Sequence, residues 1–380
     1  MKLLLIHNFY RSNNIGGEDL VFRDELFSLQ SKLGKENVFS YHASNDELSI
    51  FGTILSIWFS WKHFFRVYRL LKIHQIDLVH VHNFFPMLTP SVFLAAKLGG
   101  AKVVNTLHNY RFWCISGPMY RENVGICELC ANKTFPLSGI LYRCYRNSRL
   151  QSVLAQSAYS FYRVFRLFLA IDFYFVLTEF QRAKVASLGI DARKIYLKPN
   201  GIPRQDHKIS SREDFLYVGR MENSKGIDIL LETWLTLNPS LRLTLIGGGA
   251  RLDEIREKYN RPNIVFLGNL PHKQVLEKMA SAKFLLQTSL LYETFGMTVL
   301  EAFSVGTPVI GFAIGTRSEF VKDQENGFLG DPSELAETIL RANEFANYES
   351  LSRSATDTAR KYKLSLIVEK QVSIYRDILN

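Results

Sequence analysis

At 380 residues, with 47% hydrophobic and 22% charged residues, the chain has the make-up of a globular protein long enough for two domains with full cores. No run of 18 apolar residues occurs, which argues against a transmembrane helix. The net charge of +10 is uneven: residues 1–200 carry 24 − 13 = +11 and residues 201–380 carry 22 − 23 = −1, so one half faces something anionic, whether nucleic acid, an acidic membrane surface or a phosphorylated substrate.

The N-terminal "MKLLLIHNFYRSNN" has too short an apolar run for a signal peptide and reads as a first buried strand. A cytoplasmic location with reduced cysteines follows from that reading. Further strands are expected at 77–83, 102–109, 173–178 and 194–199, and a second set at 214–220, 242–249, 263–269, 283–289 and 307–313. Continuous apolar strands alternating with helical patterns predict parallel sheets covered on both faces. Two such sets predict two doubly wound α/β domains. The stretch 199–214, rich in Pro, Gly and Ser, marks the break. The expected division is therefore 1–200, 201–364 and a last helix at 365–380.

Ligands of such sheets sit at the carboxyl ends of the strands. Unusual residues cluster there: Gly16 and Gly17 after the first strand, His108 after the third, Arg220 and Lys225 after the sixth, Gly247–Gly249, and Glu293. Arg220 and Lys225 could clamp a diphosphate, one with a planar fork and one as a point charge. Alone they read as a solvated loop; beside Glu293 and Glu301 they read as a ligand site. An ionised carboxylate only accepts hydrogen bonds, and hydroxyls donate to it. Two glutamates at a loop-to-helix junction that would otherwise suit an anion thus point to a ligand with a phosphate part and a hydroxyl-rich part. His108 fits either a histidine buried between strands or one facing a ligand. His80 and His82 share one face of a strand with Val81 on the other, and are expected to be mainly structural, with His82, nearer the strand end, able to reach the cleft.

The Glu-x7-Glu spacing in "ETFGMTVLE" (Glu293 to Glu301), "G-TPVI" after it, "GR…KG" at 219–226 and "GGG" at 247–249 resemble the retaining nucleotide-sugar glycosyltransferases of family 4. The resemblance covers nearly the whole chain. It implies the GT-B fold, two Rossmann-like domains facing a cleft, with the last helix at 365–380 crossing back onto the N-terminal domain. It implies that Arg220 and Lys225 bind the donor diphosphate and that Glu293 accepts from donor-sugar hydroxyls. Backbone amides of Phe295, Gly296 and Met297 would face sugar and phosphate, and Glu301 would hold the ribose. Gly16 and Gly17 would form a glycine loop near the phosphate, although a bare pair of glycines also fits a plain turn. His108 would reach the reaction centre. The donor would be a UDP- or GDP-sugar, the acceptor a glycan or lipid-linked sugar of surface polysaccharide or glycolipid synthesis. No catalytic metal and no nucleic acid are expected.

Cys114, Cys127, Cys130 and Cys144 follow a C-x12-C-x2-C-x13-C spacing, which suits a structural zinc in an insertion at 114–144 better than four reduced thiols or a redox pair without a thioredoxin-like context. Residues 55–72, "LSIWFSWKHFFRVYRLLK", mix aromatics and cations at helical spacing. They fit a helix packed on the sheet or an edge facing the inner membrane surface. The rival readings are a nucleotide-sugar epimerase or hydrolase of the same fold, a non-catalytic zinc-containing nucleic-acid-binding protein, and a catalytically silent member of a complex.

Overall fold

The computed structural model describes residues 1–12, 16–48, 52, 54, 56–203 and 212–380. Residues 204–211 of the expected break, Asn13–Ile15 before the glycine pair, and Leu55 of the aromatic stretch lie outside the described residues. The chain forms two units. One comprises Met1–Met119, Glu128–Gly201 and Leu364–Asn380; the other comprises Tyr120–Cys127 and Ile202–Lys363.

The first unit is built on a six-stranded, all-parallel sheet. Its strands are β1 (Leu3–Phe9), β2 (Val38–Ser44), β3 (Leu78–Val81), β4 (Lys102–Thr106), β7 (Phe173–Val176) and β8 (Ile195–Leu197). They lie side by side in the order β2-β1-β3-β4-β7-β8. Leu3, Leu4, Leu5 and Ile6 are all fully buried, because helices cover both faces of β1. Burying each such side chain contributes roughly 1.5–3 kcal/mol. Helix α1 (Gly17–Leu33) follows β1, and α2 (Trp61–His74) precedes β3. Helix α3 (Arg149–Val164) follows the cysteine segment.

The second sheet is again all parallel. Its strands are β9 (Asp214–Val218), β10 (Leu243–Ile246), β11 (Ile264–Gly268), β12 (Ala282–Gln287), β13 (Val309–Phe312) and β14 (Gly327–Gly330). Their order is β11-β10-β9-β12-β13-β14. Counted within the unit this is 3-2-1-4-5-6, the dinucleotide-fold order, whose switch point lies between β9 and β12. Helix α4 (Ile227–Thr236) follows β9, and α5 (Met297–Ser304) follows β12. Helix α6 (Leu364–Leu379) ends the chain. It belongs to the first unit, where Val368, Val372, Ile374, Tyr375 and Ile378 join the core of Leu3, Leu5, Phe22 and Phe175.

The remaining two strands, β5 (Tyr120–Arg121) and β6 (Gly125–Ile126), form an antiparallel hairpin. The hairpin belongs to the second unit although it lies in the first half of the sequence. Asn223, in the loop after β9, donates a short hydrogen bond to Glu122 of the hairpin.

Candidate active site

In the second unit the site is built at the β9/β12 switch point. Chain direction reverses after β9 through Gly219 and Arg220, and the loop closes with a single turn, Asn223–Lys225. Gly226 then takes a left-handed φ of +67°, and a Cβ there would meet the Thr288 carbonyl oxygen at 2.0 Å. Only glycine allows this approach. The loop is stitched to the end of β12: Thr288 Oγ1 donates to the Lys225 carbonyl (2.9 Å), and the Leu290 amide donates to the Ser224 carbonyl (2.9 Å). The expected glycine run backs the same loop. Gly247 approaches Gly219 so closely that a Cβ would lie 1.9 Å from its carbonyl oxygen.

This stitching sets Lys225 Nζ 2.6 Å from Glu293 Oε1, which also accepts from Ser289 Oγ at 2.8 Å. Burial works against the Glu293 charge. The Lys225 ammonium, the hydrogen bonds from Lys225 and Ser289, and the Arg317 guanidinium outweigh it and hold the carboxyl down at about 2. Arg317 is itself buried: its Nε donates to the Phe312 carbonyl (2.7 Å) and its Nη2 to the Ser289 carbonyl. No motif pointed to Arg317; "GTRSEF" reads as a surface turn. Arg220 is more open, with Nη1 3.0 Å from Glu222 Oε1.

After Glu293 the chain turns through buried Phe295 and Gly296, whose φ of +84° starts α5 at Met297. The Glu301 carboxylate, on that helix, lies 2.9 Å from His272 Nε2, accepting when that nitrogen carries a proton, and is only 12% exposed. The two glutamates therefore sit in different neighbourhoods, Glu293 among cations and Glu301 beside an imidazole.

In the first unit the ends of β3 and β4 bring His82 and His108 together, with Nδ1 and Nε2 3.0 Å apart and the rings stacked. Burial, then the neighbouring His82 and Lys198, keep His108 well below the ordinary imidazole range. His108, Asn83, Asn109, Arg111 and Tyr159 line one polar pocket. Arg111 stacks over Phe85 and Tyr145. Asn83 donates to Glu18 (3.0 Å), whose carboxyl is pushed up by burial. Behind the pocket, Glu25, His80 and His82 are the one group of three potential metal ligands among the described residues. The Lys198 ammonium already pairs with Glu25, and His80 bonds Tyr375 Oη and Thr106 Oγ1 through its two nitrogens, so this group carries its own cation.

Gly16 caps α1, and its N–H donates to Asp19 Oδ2 at 3.1 Å, so a phosphate at this amide would compete with a carboxylate. Gly17 has open space around it. Of the cysteines, Cys114 Sγ lies 3.1 Å from Ser116 Oγ and Cys130 Sγ 3.4 Å from Ser138 Oγ. Cys114, Cys130 and Cys144 belong to the first unit and Cys127 to the second, and among the described residues no three of the four come together as metal ligands, unlike the zinc site their spacing suggests.

Helix α2 buries His63, Val67 and Leu71 at four-residue spacing, which is the packed face expected of it. Trp61 and Phe65 lie outside that stripe, about 60% exposed and stacked on each other. Exposed Lys62, Arg66 and Arg69 share the helix. A second exposed apolar group, Leu137, Leu141, Leu150, Phe165 and Leu169, is interleaved with exposed Arg143, Arg146, Arg149 and Arg166. Among the described residues no helix is long and apolar enough to cross a membrane.

Two parallel doubly wound domains with these motifs define a GT-B glycosyltransferase. Residues 202–362 match the model of glycosyl transferases group 1 and residues 34–206 that of glycosyltransferase family 4. The chain belongs to this family. It is 23% identical over 367 residues to a phosphatidylinositol N-acetylglucosaminyltransferase subunit of Arabidopsis thaliana, covering 90% of this chain and 74% of the relative. It is 27% identical over 176 residues to the O-antigen chain mannosyltransferase C of Escherichia coli, covering 43% of this chain and 47% of the relative. Among solved structures, Anabaena HepE (Alr3699) in complex with UDP superposes with a TM-score of 0.67 at 15% identity, over 99% of this chain and all of that one. The lipopolysaccharide outer core galactosyltransferase WaaB superposes at 0.63 and 16% identity, over 99% and 100%.

Proposed function

We propose that this glycosyltransferase moves a sugar from a nucleoside-diphosphate sugar to a glycan or lipid-linked acceptor with retention of anomeric configuration. The carrying observation is the Lys225–Glu293 ion pair at the β9/β12 switch point, with Arg220 on the same loop as Lys225 and Glu301 on the helix that follows Glu293. It sets a cation for phosphate in contact with a carboxylate for sugar hydroxyls. Arg220 and Lys225 bind the diphosphate, Glu293 orients the donor sugar, and Glu301 holds the ribose. Amides at Phe295, Gly296 and Met297 stabilise charge on the leaving diphosphate as its bond to the sugar breaks. The departing phosphate oxygen takes the proton of the attacking hydroxyl on the same face. The protein's cations do the work that a divalent metal does in other transferases, so no added metal is needed. The polar pocket around His108 receives the acceptor.

UDP-sugars are the first donors to test, because HepE was solved with UDP and with UDP-glucose; GDP-sugars are the second. The cationic, apolar surfaces of the first unit suit peripheral docking on the inner face of an anionic membrane. A thermal-shift panel of UDP, GDP, their sugars and free uridine tests the donor assignment. A diphosphate at about 100 times its dissociation constant adds roughly 2.7 kcal/mol of stability. No shift with any nucleotide or nucleotide sugar would sink it.

A further inference from the structure

Glu25 sits in the middle of α1 and is 2% exposed. Four residues from three other parts of the first unit converge on it. Lys198, 1% exposed at the end of β8, pairs with Oε2. His82 Nε2 lies 3.1 Å from Oε1, His80 Nδ1 lies 3.4 Å from the same oxygen, and Gln371 of α6 donates to it as well. Tyr375, one turn along α6, accepts from Gln371 and bonds His80 Nδ1 at 2.6 Å. A carboxylate this deep is costly to keep charged unless it is fully satisfied. Burial opposes the charge, and Lys198 with the two histidines overcomes it, holding Glu25 well below the ordinary range. The network does not end there. The far nitrogen of His82 reaches His108.

We propose that Glu25 and His82 are positioning residues that dictate which ring nitrogen of His108 carries its proton, and that the C-terminal helix locks them in place. The functional side of this proposal rests on the placement of His108 at the reaction centre; the proton placement does not. The order follows from acceptor chemistry. An ionised carboxylate cannot donate, so His82 must present N–H at Nε2. Burial keeps His82 neutral, with its pKa lowered to about 3, so its Nδ1 is a lone pair. That lone pair must accept, so His108 presents N–H at Nε2. Neutral His108 therefore has its basic lone pair at Nδ1. At that atom it can only accept a hydrogen bond, and it is not an acid there. A carboxylate that orients one imidazole through a hydrogen bond is a common device; here two imidazoles stand in series. His7, paired with Asp19 at 2.7 Å, packs edge-on to His82 and adds no bond to it.

The test is long-range ¹H–¹⁵N correlation on the full chain labelled at histidine. His108 should show a single Nε2–H tautomer between pH 6 and 8. His82→Phe keeps a buried ring and leaves Glu25 its bonds to Lys198 and Gln371. It should give a mixture of His108 tautomers, and with the nucleotide sugar chosen by the donor panel it should lower kcat roughly 10-fold or more, with the donor KM within about 2-fold. Glu25→Gln should act in the same direction. An Nδ1–H tautomer in the wild-type protein overturns the proposal, and it needs no variant to fold. An unaltered tautomer in a folded His82→Phe protein overturns it as well. A changed tautomer with unchanged kcat keeps the proton placement and instead removes His108 from the reaction centre.

Discussion

Lys225 Nζ lies 2.6 Å from Glu293 Oε1, so the cation meant for phosphate and the carboxylate meant for sugar touch each other. The pair holds the Glu293 carboxyl at about 2, against roughly 4.3 for an unperturbed glutamate. A depressed native pKa means that the unfolded chain binds the proton more readily. The resulting stability is fully present above about pH 4.3 and is lost as pH falls towards 2. Lys225→Met is therefore expected to unfold earlier than wild type in urea at pH 7, with the gap closing between pH 5 and 2. A gap that is constant with pH would mean that the lysine acts through packing. The same substitution should weaken UDP binding by about 1.5–3 kcal/mol, the value of a charge-assisted hydrogen bond.

Glu293 and Glu301 should fail differently. Glu293→Gln removes an acceptor from the sugar, whose position matters most in the transition state. It is expected to lower kcat while UDP still titrates with near wild-type affinity. Glu301→Ala, beside His272, should weaken both UDP and the intact donor. Isothermal titration and steady-state kinetics on both variants decide this, and the reverse pattern would mean that the roles are swapped.

Much of this site is legible in the sequence, because its parts lie close along the chain. All ten expected strands form. Glu293, Gly296 and Glu301 belong to one loop and helix, and Arg220 and Lys225 to one turn. Edge strands are harder. β2, "VFSYHAS", alternates between covered and open positions, and β14, "GFLG", is four residues with two glycines. Neither resembles a continuous apolar run. Behind His108, the sequence suggests the return of the last helix to the first domain but not the network it completes. Glu25 and Gln371 are 346 positions apart and meet only because α6 packs on α1. His80 and His82 are expected from the sequence to be mainly structural; His82 proves to touch His108. The hairpin at Tyr120–Ile126 is hidden inside a segment that reads as one insertion.

The cationic, apolar surface predicts flotation with anionic liposomes at low salt and little with neutral ones, because Lys and Arg near such a surface contribute about 1 kcal/mol each. Replacing Trp61 and Phe65 together by Ser should reduce flotation without altering UDP titration. Equal behaviour with both lipids would assign the charge to another partner.

Retaining transfer driven by the protein's own cations is tested by proton NMR of the product formed from a donor of known anomeric configuration in the presence of EDTA. The first-formed product should keep the donor's configuration, at a rate that EDTA leaves unchanged. An inverted anomer, or turnover abolished by EDTA and restored only by Mg²⁺, would overturn this mechanism.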